Sequence, residues 1–200
     1  MNKSEEMRYI QYVTSAFDGT SLRGGTPRWQ LAFGALLYFI RDKNMGKPFE
    51  TDMDISLFHG DADPARVWRN MEYLGFRRGN QVVDSAGDVL KMDFKNPMFG
   101  FSIDLFYWKR KDGFYWHTFD SGMEFPKDGR LRKYVFKGTP CYLLDGDEWE
   151  YRWFDECDKV HLPRAYGAVL DYWYPGWFIV DKNFGYSRCT NTIMPEGGLL

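Results

Sequence analysis

The segment Asp52–Phe58 (DMDISLF) places the strongest constraint on the fold, because polar and apolar residues alternate along it. This period of two is that of a half-buried strand, whose successive side chains point to opposite faces. Asp52 and Asp54 therefore share one face, with Cα atoms roughly 6.5–7 Å apart, and can share a divalent cation. Their oxygen ligands suit Mg²⁺ or Mn²⁺, and Glu50 joins the same face if the strand begins earlier.

A third acid, Asp104, interrupts the apolar segment Phe101–Trp108 (FSIDLFYW). Burying an unpaired carboxylate is costly, so an acid in this position needs a partner. A cation shared with Asp52 and Asp54 would supply one. A solvated strand face also explains the pair Asp52 and Asp54, so the pattern alone leaves a metal site and an ordinary surface open.

Upstream of these acids, Arg28–Phe33 is predicted as a strand that turns at Gly34 into a helix over Ala35–Asp42. The free N–H groups and the positive dipole end of a helix N-terminus suit phosphate. Arg41 lies two helical turns beyond Gly34, on nearly the same face. A phosphate-binding turn, a basic side chain and three acids are typical of metal-dependent phosphoryl or nucleotidyl transfer, in which one acid takes the proton from the attacking hydroxyl.

The remaining pattern predicts a single domain over residues 1–200, with an α+β fold in which helices flank a mixed sheet. Helices are predicted over Ser4–Phe17, Asp63–Leu74, Asp147–Phe154 and Leu162–Trp173. Further strands are predicted over Phe76–Val83, Asp88–Phe94, Gly100–Trp108, Phe114–Phe119 and Tyr134–Leu144. No internal repeat or linker divides the sequence.

Charge and hydropathy exclude several classes of protein. The 26 basic residues nearly balance the 28 acidic ones, so nothing favours a broad nucleic-acid surface. No apolar run approaches the roughly 18–20 residues that span a bilayer, and the polar segment Met1–Met7 does not resemble a secretory signal. The wide spacing of Cys141, Cys157 and Cys189 favours reduced thiols. We therefore expect a cytoplasmic protein.

Several residues have two open interpretations. Aromatic residues make up 19% of the chain, and they serve either as core or as platforms for sugars and bases. The run Tyr172–Phe178 is interpreted as a packed element, or as sugar stacking by Trp173 or Trp177. The basic stretch Arg130–Lys137 is interpreted as a solvated edge or as a patch that steers an anionic donor. His59 is interpreted as an exposed loop residue or as a substrate contact.

Three segments in this order resemble the LicD-type transferases, which include the fukutin-related proteins and share the polymerase-beta-like nucleotidyltransferase fold. They are Gly34–Arg41 (GALLYFIR), Pro48–Ile55 (PFETDMDI) and Ile103–Phe106 (IDLF). The family shows a Gly-Thr-Leu-Leu-Gly…Arg segment, a Pro-Trp-Asp-Asp-Asp-Ile-Asp segment and a later Asp in an apolar strand. A looser likeness to its C-terminal Tyr-Gly…Trp…Pro element brings the resemblance to roughly Trp29–Pro175.

This resemblance implies transfer of a phospho-substituent, of the phosphocholine or pentitol phosphate type, from a CDP-activated donor to a glycan hydroxyl. The catalytic and metal-binding residues that it implies are Asp52, Asp54 and Asp104, and the substrate-binding residues are Gly34, Arg41 and Glu50. Gly34 and Arg41 would contact phosphate. Asp104 would act as a metal ligand or as the general base, and the cofactor would be Mg²⁺ or Mn²⁺.

Departures from the family pattern keep three alternatives open. Ala35 lacks the hydroxyl of the family's Thr, Tyr38 replaces the second Gly, and Glu50 and Thr51 stand where two Asp are usual. One alternative is a nucleotidyltransferase that moves NMP from an NTP to a small-molecule acceptor. Another is a degenerate member that binds a nucleotide or glycan without chemistry. The third is an aromatic-rich interaction domain whose acids are solvated.

Overall fold

The structure, a computed structural model, describes residues 3–41, 52–97, 101–111, 114–117, 135–136, 139–140, 142–145, 151–154, 157–174 and 176–179. The predicted loop Lys43–Thr51, with Glu50, lies outside these residues, as does most of the basic stretch Arg130–Lys137.

The described residues form helices and strands in a mixed order. The helices are α1 (Lys3–Thr14), α2 (Phe33–Arg41), α3 (Pro64–Tyr73) and α4 (Tyr166–Trp173), with a 3-10 turn at Ser15–Phe17. The first strands are β1 (Trp29–Leu31), β2 (Asp52–Phe58), β3 (Arg77–Val83), β4 (Val89–Lys95), β5 (Ser102–Lys111) and β6 (Phe114–His117). The later ones are β7 (Val135–Phe136), β8 (Thr139–Pro140), β9 (Tyr142–Asp145), β10 (Tyr151–Phe154) and β11 (Cys157–Pro163).

Among the described residues, seven strands form one open sheet. Its order is β1-β2-β5-β4-β3, and β6 and β9 extend it from the far end of β5. β2 and β5 run parallel, whereas the other pairs in this sheet are antiparallel. The expected α+β architecture, a mixed sheet flanked by helices, is confirmed.

Alternation along β2, β4 and β5 gives the sheet a core face and a second face, which we call the polar face because one end of it carries the aspartates, while Phe106 and Trp108 are buried at its other end. The buried apolar residues on the core face are Met53, Ile55, Met92, Phe94, Ile103 and Leu105. Helices α1 and α3 contribute to the same cluster Ile10, Val13, Val67 and Met71. Burying this face leaves the aspartates of the three strands on the polar face, as the alternation in the sequence predicts.

Helix α3 has defined ends. Asp63 caps its N-terminus, because the Asp63 Oδ1 accepts the N–H of Ala65 at 3.0 Å and that of Arg66 at 3.4 Å. Pro64 occupies the first helical position, where its missing N–H costs nothing. Gly75 follows the helix with a φ of 84°, in the left-handed region that favours glycine. The predicted helix is confirmed.

One prediction for the later part of the chain is wrong, and two others differ from the structure in their bounds. Within the predicted helix Asp147–Phe154, the last four residues form β10, because the aromatic sequence YRWF pairs with β11. Helix α4 begins at Tyr166 and not at Leu162, because Leu162 pairs within the β10–β11 hairpin and Pro163 ends that strand. The strand expected over Tyr134–Leu144 is divided among the short strands β7, β8 and β9.

Candidate metal centre

Asp52, Asp54 and Asp104 come together where β2 and β5 run side by side. Asp54 and Asp104 are direct register partners in this parallel pair, so their side chains lie on the polar face together. One carboxylate oxygen from each of the three residues lies within 4.8 Å of the others. The structure thus brings together all three predicted acids, which we call the acidic cluster.

The N-terminus of α2 holds the carboxylate of Asp54. The Gly34 N–H donates to the Asp54 Oδ2 at 3.0 Å, and the Ala35 N–H approaches the same oxygen at 3.4 Å. A Cβ at position 34 would lie 3.3 Å from that oxygen, so glycine permits the close approach. The helix terminus predicted to contact phosphate therefore has a carboxylate partner within the chain.

Phe33 turns the chain from β1 into α2 in a left-handed conformation with a φ of 40°. This conformation costs a non-glycine residue roughly 1–2 kcal/mol. Aromatic packing holds it, because the Phe33 ring stacks on Trp173 with centroids 4.2 Å apart and meets the Phe106 ring edge-on at 4.8 Å. Since Trp173 is 1% exposed, it belongs to the core, and the alternative that it stacks on a sugar is wrong.

A lysine and a fourth acid extend the site across β4. Asp93 pairs with Asp104 in the antiparallel register of β4 and β5, so Asp54, Asp104 and Asp93 form one row across three strands. The Lys91 Nζ lies 2.9 Å from the Asp93 Oδ1 and 2.9 Å from the Asp104 Oδ2. Lys91 and Asp93 are therefore functional candidates that the sequence analysis missed. Their alternation with Leu90 and Met92 indicates that they share one face of a strand, and this was the signal that could have found them.

Two carboxylates of the acidic cluster, those of Asp54 and Asp104, resist ionisation. Burial, with the negative charges of Asp104 and Asp52, raises the pKa of Asp54 well above its ordinary value. Burial also raises the pKa of Asp104 to about 6, although the ammonium of Lys91 acts in the opposite direction. Burial lowers the pKa of Lys91, but Asp104 and Asp93 outweigh this and raise it overall. A second positive charge would therefore stabilise the ionised acids.

The donor set fits a hard divalent cation. Metal–oxygen distances of about 2.0–2.6 Å allow ligand oxygens on one Mg²⁺, Mn²⁺ or Ca²⁺ ion to lie up to roughly 4–5 Å apart. The three oxygens of the acidic cluster meet this condition at 4.8 Å or less. Carboxylate oxygen is also the ligand type that Mg²⁺ and Mn²⁺ prefer. These three residues could therefore hold one such ion.

Other predicted site residues lie farther from the acidic cluster or outside the described residues. Arg41 is the last residue of α2, about 10 Å along the helix from Gly34, and its guanidinium lies 5.4 Å from the centre of the Tyr38 ring. The His59 Nε2 lies 3.5 Å from a carboxylate oxygen of Asp88. Glu50 is not among the described residues.

Comparison with known proteins does not assign this chain. No model of a protein family matches it, and no curated protein matches it. Within the described segments, no helix combines the length and apolar character needed to cross a bilayer. The resemblance to LicD-type transferases therefore stays a prediction, and function has to be argued from the acidic cluster.

Proposed function

We propose that this chain is a metal-dependent transferase of the LicD type, with a nucleotidyltransferase-like fold, acting in the cytoplasm. It would move a phospho-substituent from a CDP-activated donor to a hydroxyl of a glycan. The acidic cluster supports this most strongly, because three carboxylates from two strands approach within 4.8 Å beside a helix N-terminus. Asp52, Asp54 and Asp104 would hold Mg²⁺ or Mn²⁺, and the bound ion would neutralise charge on the phosphate oxygens.

The chain's own residues have separate tasks in this proposal. The Gly34 and Ala35 amides fix the Asp54 carboxylate in place, which limits the reorganisation that ligand binding requires. As the alternative to its role as a metal ligand, Asp104 is the general base, because burial brings its pKa in the metal-free protein to about 6, near neutral pH. The acceptor oxygen bonds to the distal phosphorus of the donor, the bond to the bridging oxygen breaks, and CMP leaves. The hydroxyl proton passes to Asp104.

The first experiment is a thermal-shift panel of CDP-choline, CDP-ribitol, CTP, ATP and UTP, with and without Mn²⁺. It compares the wild type with Asp52→Asn, and with Asp88→Asn as a matched control that removes an ion-paired aspartate outside the acidic cluster. A ligand at a hundred times its Kd stabilises a protein by about 2.7 kcal/mol, which such a panel detects. We expect a Mn²⁺-dependent shift with a CDP compound that Asp52→Asn abolishes and Asp88→Asn retains.

Product analysis on the same samples separates the alternatives. Phospho-substituent transfer from a CDP donor releases CMP, whereas nucleotidyl transfer from an NTP releases pyrophosphate. Shifts with NTPs alone, together with pyrophosphate, would favour the nucleotidyltransferase. Binding with neither product would favour a degenerate binding protein. No shift with any compound in a folded protein would overturn the proposal and favour an interaction domain.

A further inference from the structure

Lys91 lies at the centre of the polar face. Its Nζ contacts one oxygen of Asp93 and one of Asp104, each at 2.9 Å, and lies 5.4 Å from the centre of the Phe106 ring. The side chain is 17% exposed, and Asp93 and Asp104 are similarly shielded. Two short contacts and an aromatic neighbour fix the ammonium in one place, unlike a lysine on an open surface.

The strand order gives this ammonium a defined relation to the acidic cluster. β5 lies between β2 and β4, so Asp104 has Asp54 on one side and Asp93 on the other. Asp104 therefore belongs to two groups: the acidic cluster on the β2 side, and the ion pairs with Lys91 on the β4 side. A second metal ion on the β4 side would need the oxygens of Asp93 and Asp104 that Lys91 already contacts.

Gly79 of β3 lies directly against Asp93 of β4. A Cβ at Gly79 would lie 3.0 Å from the Asp93 Cβ and 3.3 Å from its carbonyl oxygen. Because the neighbouring strand approaches so closely, Asp93 has little room to move toward β3. The Asp93 Oδ1 and the Asp104 Oδ2 together hold one cation, the ammonium of Lys91.

We propose that Lys91 is a positioning and specificity-determining residue that occupies the place of a second metal ion, so that this site binds one divalent cation. Two-metal phosphoryl-transfer sites hold their ions about 3.5–4 Å apart through a shared carboxylate, which is the relation that Asp104 has to its two neighbours. Lys91 supplies one positive charge permanently at the shared acid. This inference rests on the proposed function, which places a divalent cation at the acidic cluster. It adds that the site binds one such ion and not two.

The test counts Mn²⁺ bound per chain, by calorimetry and by electron paramagnetic resonance at pH 7.5. Wild type and Lys91→Arg should bind one ion. Lys91→Met, which keeps the length of the side chain without its charge, should bind a second and weaker ion. The double variant Lys91→Met with Asp93→Asn should return to one, because it removes a ligand of the second site. Lys91→Gln repeats the measurement if Lys91→Met does not fold.

The outcomes separate this inference from the proposed function. Two ions in the wild type, or one ion in both uncharged variants, overturn the inference and leave the metal site of the acidic cluster intact. No ion in the wild type but one in Lys91→Met overturns the metal site while supporting the role of Lys91 as a resident cation. No ion in any folded variant overturns both.

Discussion

Two lysines of this molecule are each held by two aspartates, and the comparison between them separates the candidate metal centre from an ion-paired turn. Lys109 Nζ lies 2.7 Å from the Asp84 Oδ2 and 2.6 Å from the Asp88 Oδ2. Lys91 makes the equivalent contacts with Asp93 and Asp104 at 2.9 Å. The contacts are alike, but the surroundings of the two lysines differ.

The carboxylates around Lys109 are used to build the β3–β4 connection. The Asp84 Oδ1 accepts the N–H of Ala86 and that of Asp88, both at 3.0 Å, while its other oxygen faces Lys109. This arrangement ties the turn between β3 and β4 to β5. Lys91 contacts two carboxylates, and one of them, Asp104, also lies within 4.8 Å of Asp52 and Asp54 in the acidic cluster. The excess of acid, not its presence, marks the site.

The pKa shifts have opposite signs in the two places. The hydrogen bond from Lys109 lowers the pKa of Asp88, which is the usual effect of a paired carboxylate at a surface. Burial raises the pKa of Asp104 even though Lys91 contacts it. Lys109 thus stabilises the ionised form of Asp88. The charge of Lys91 does not offset the burial of Asp104, so a further positive charge would stabilise that carboxylate.

The largest expected difference between the two clusters is in the free energy of unfolding that is lost when each lysine is replaced, measured in metal-free buffer at pH 8. Lys91→Met should lower the free energy of unfolding by about 3 kcal/mol, because it leaves buried carboxylates without their cation. Lys109→Met should lower it by about 1 kcal/mol, because Asp84 keeps the N–H donors of Ala86 and Asp88 and the Asp88 side chain is 39% exposed. Chemical denaturation with and without Mn²⁺ measures both losses relative to the wild type, and Mn²⁺ should reduce the loss in Lys91→Met and leave that in Lys109→Met unchanged. Equal losses that Mn²⁺ does not change would remove the distinction between the two clusters.

A smaller effect on Mn²⁺ affinity and on stability is expected when the pH is lowered. Because Asp54 and Asp104, whose pKa values are both raised, must be ionised to bind a cation, the Mn²⁺ affinity should fall by at least about tenfold for each pH unit below about 6. In the metal-free protein the folded state keeps a proton that the unfolded chain releases between about pH 4 and 6, so the contribution of Asp104 to stability falls as pH rises through this window. The pKa of Asp88 is lowered, so its contribution to stability has the opposite pH dependence and is lost as the pH falls through that lowered pKa.

The control for this titration is Asp104→Asn. Burial lowers the pKa of His117 to about 3, so acidification below about pH 6.5 also destabilises the fold through that residue. The difference in stability between the wild type and Asp104→Asn cancels this contribution. A difference that does not change between pH 4 and 7 would contradict the raised pKa of Asp104.

The smallest effect is expected at Gly34. In Gly34→Ala the new Cβ would lie 3.3 Å from the Asp54 Oδ2, so the carboxylate has to shift by a few tenths of an ångström. We expect the Mn²⁺ affinity to fall about threefold, which corresponds to about 0.7 kcal/mol. Gly167→Ala in α4 is the matched control, since its Cβ would meet no described atom within 4 Å. Equal Mn²⁺ affinity in both variants would show that the Gly34 amide does not position Asp54.

The sequence predicts the acids of this site better than it predicts their partners. Asp52 and Asp54 are predictable because alternation along one strand is a local property, and Asp104 because a lone charge interrupts an apolar strand. The contacts of Lys91 depend on the register between β4 and β5, which no local pattern determines. The bond from Gly34 to Asp54 likewise requires the angle between a strand and a helix, which Phe33 sets through its packing.

The parallel pairing of β2 and β5 also determines when the acidic cluster can form during folding. Between these two strands the chain builds α3, β3 and β4, so Asp54 and Asp104 meet only after a long loop has closed. We therefore expect the cluster to be among the last parts of the native structure to assemble. A cation that binds there adds stability after the transition state, so it should slow unfolding and leave the folding rate almost unchanged.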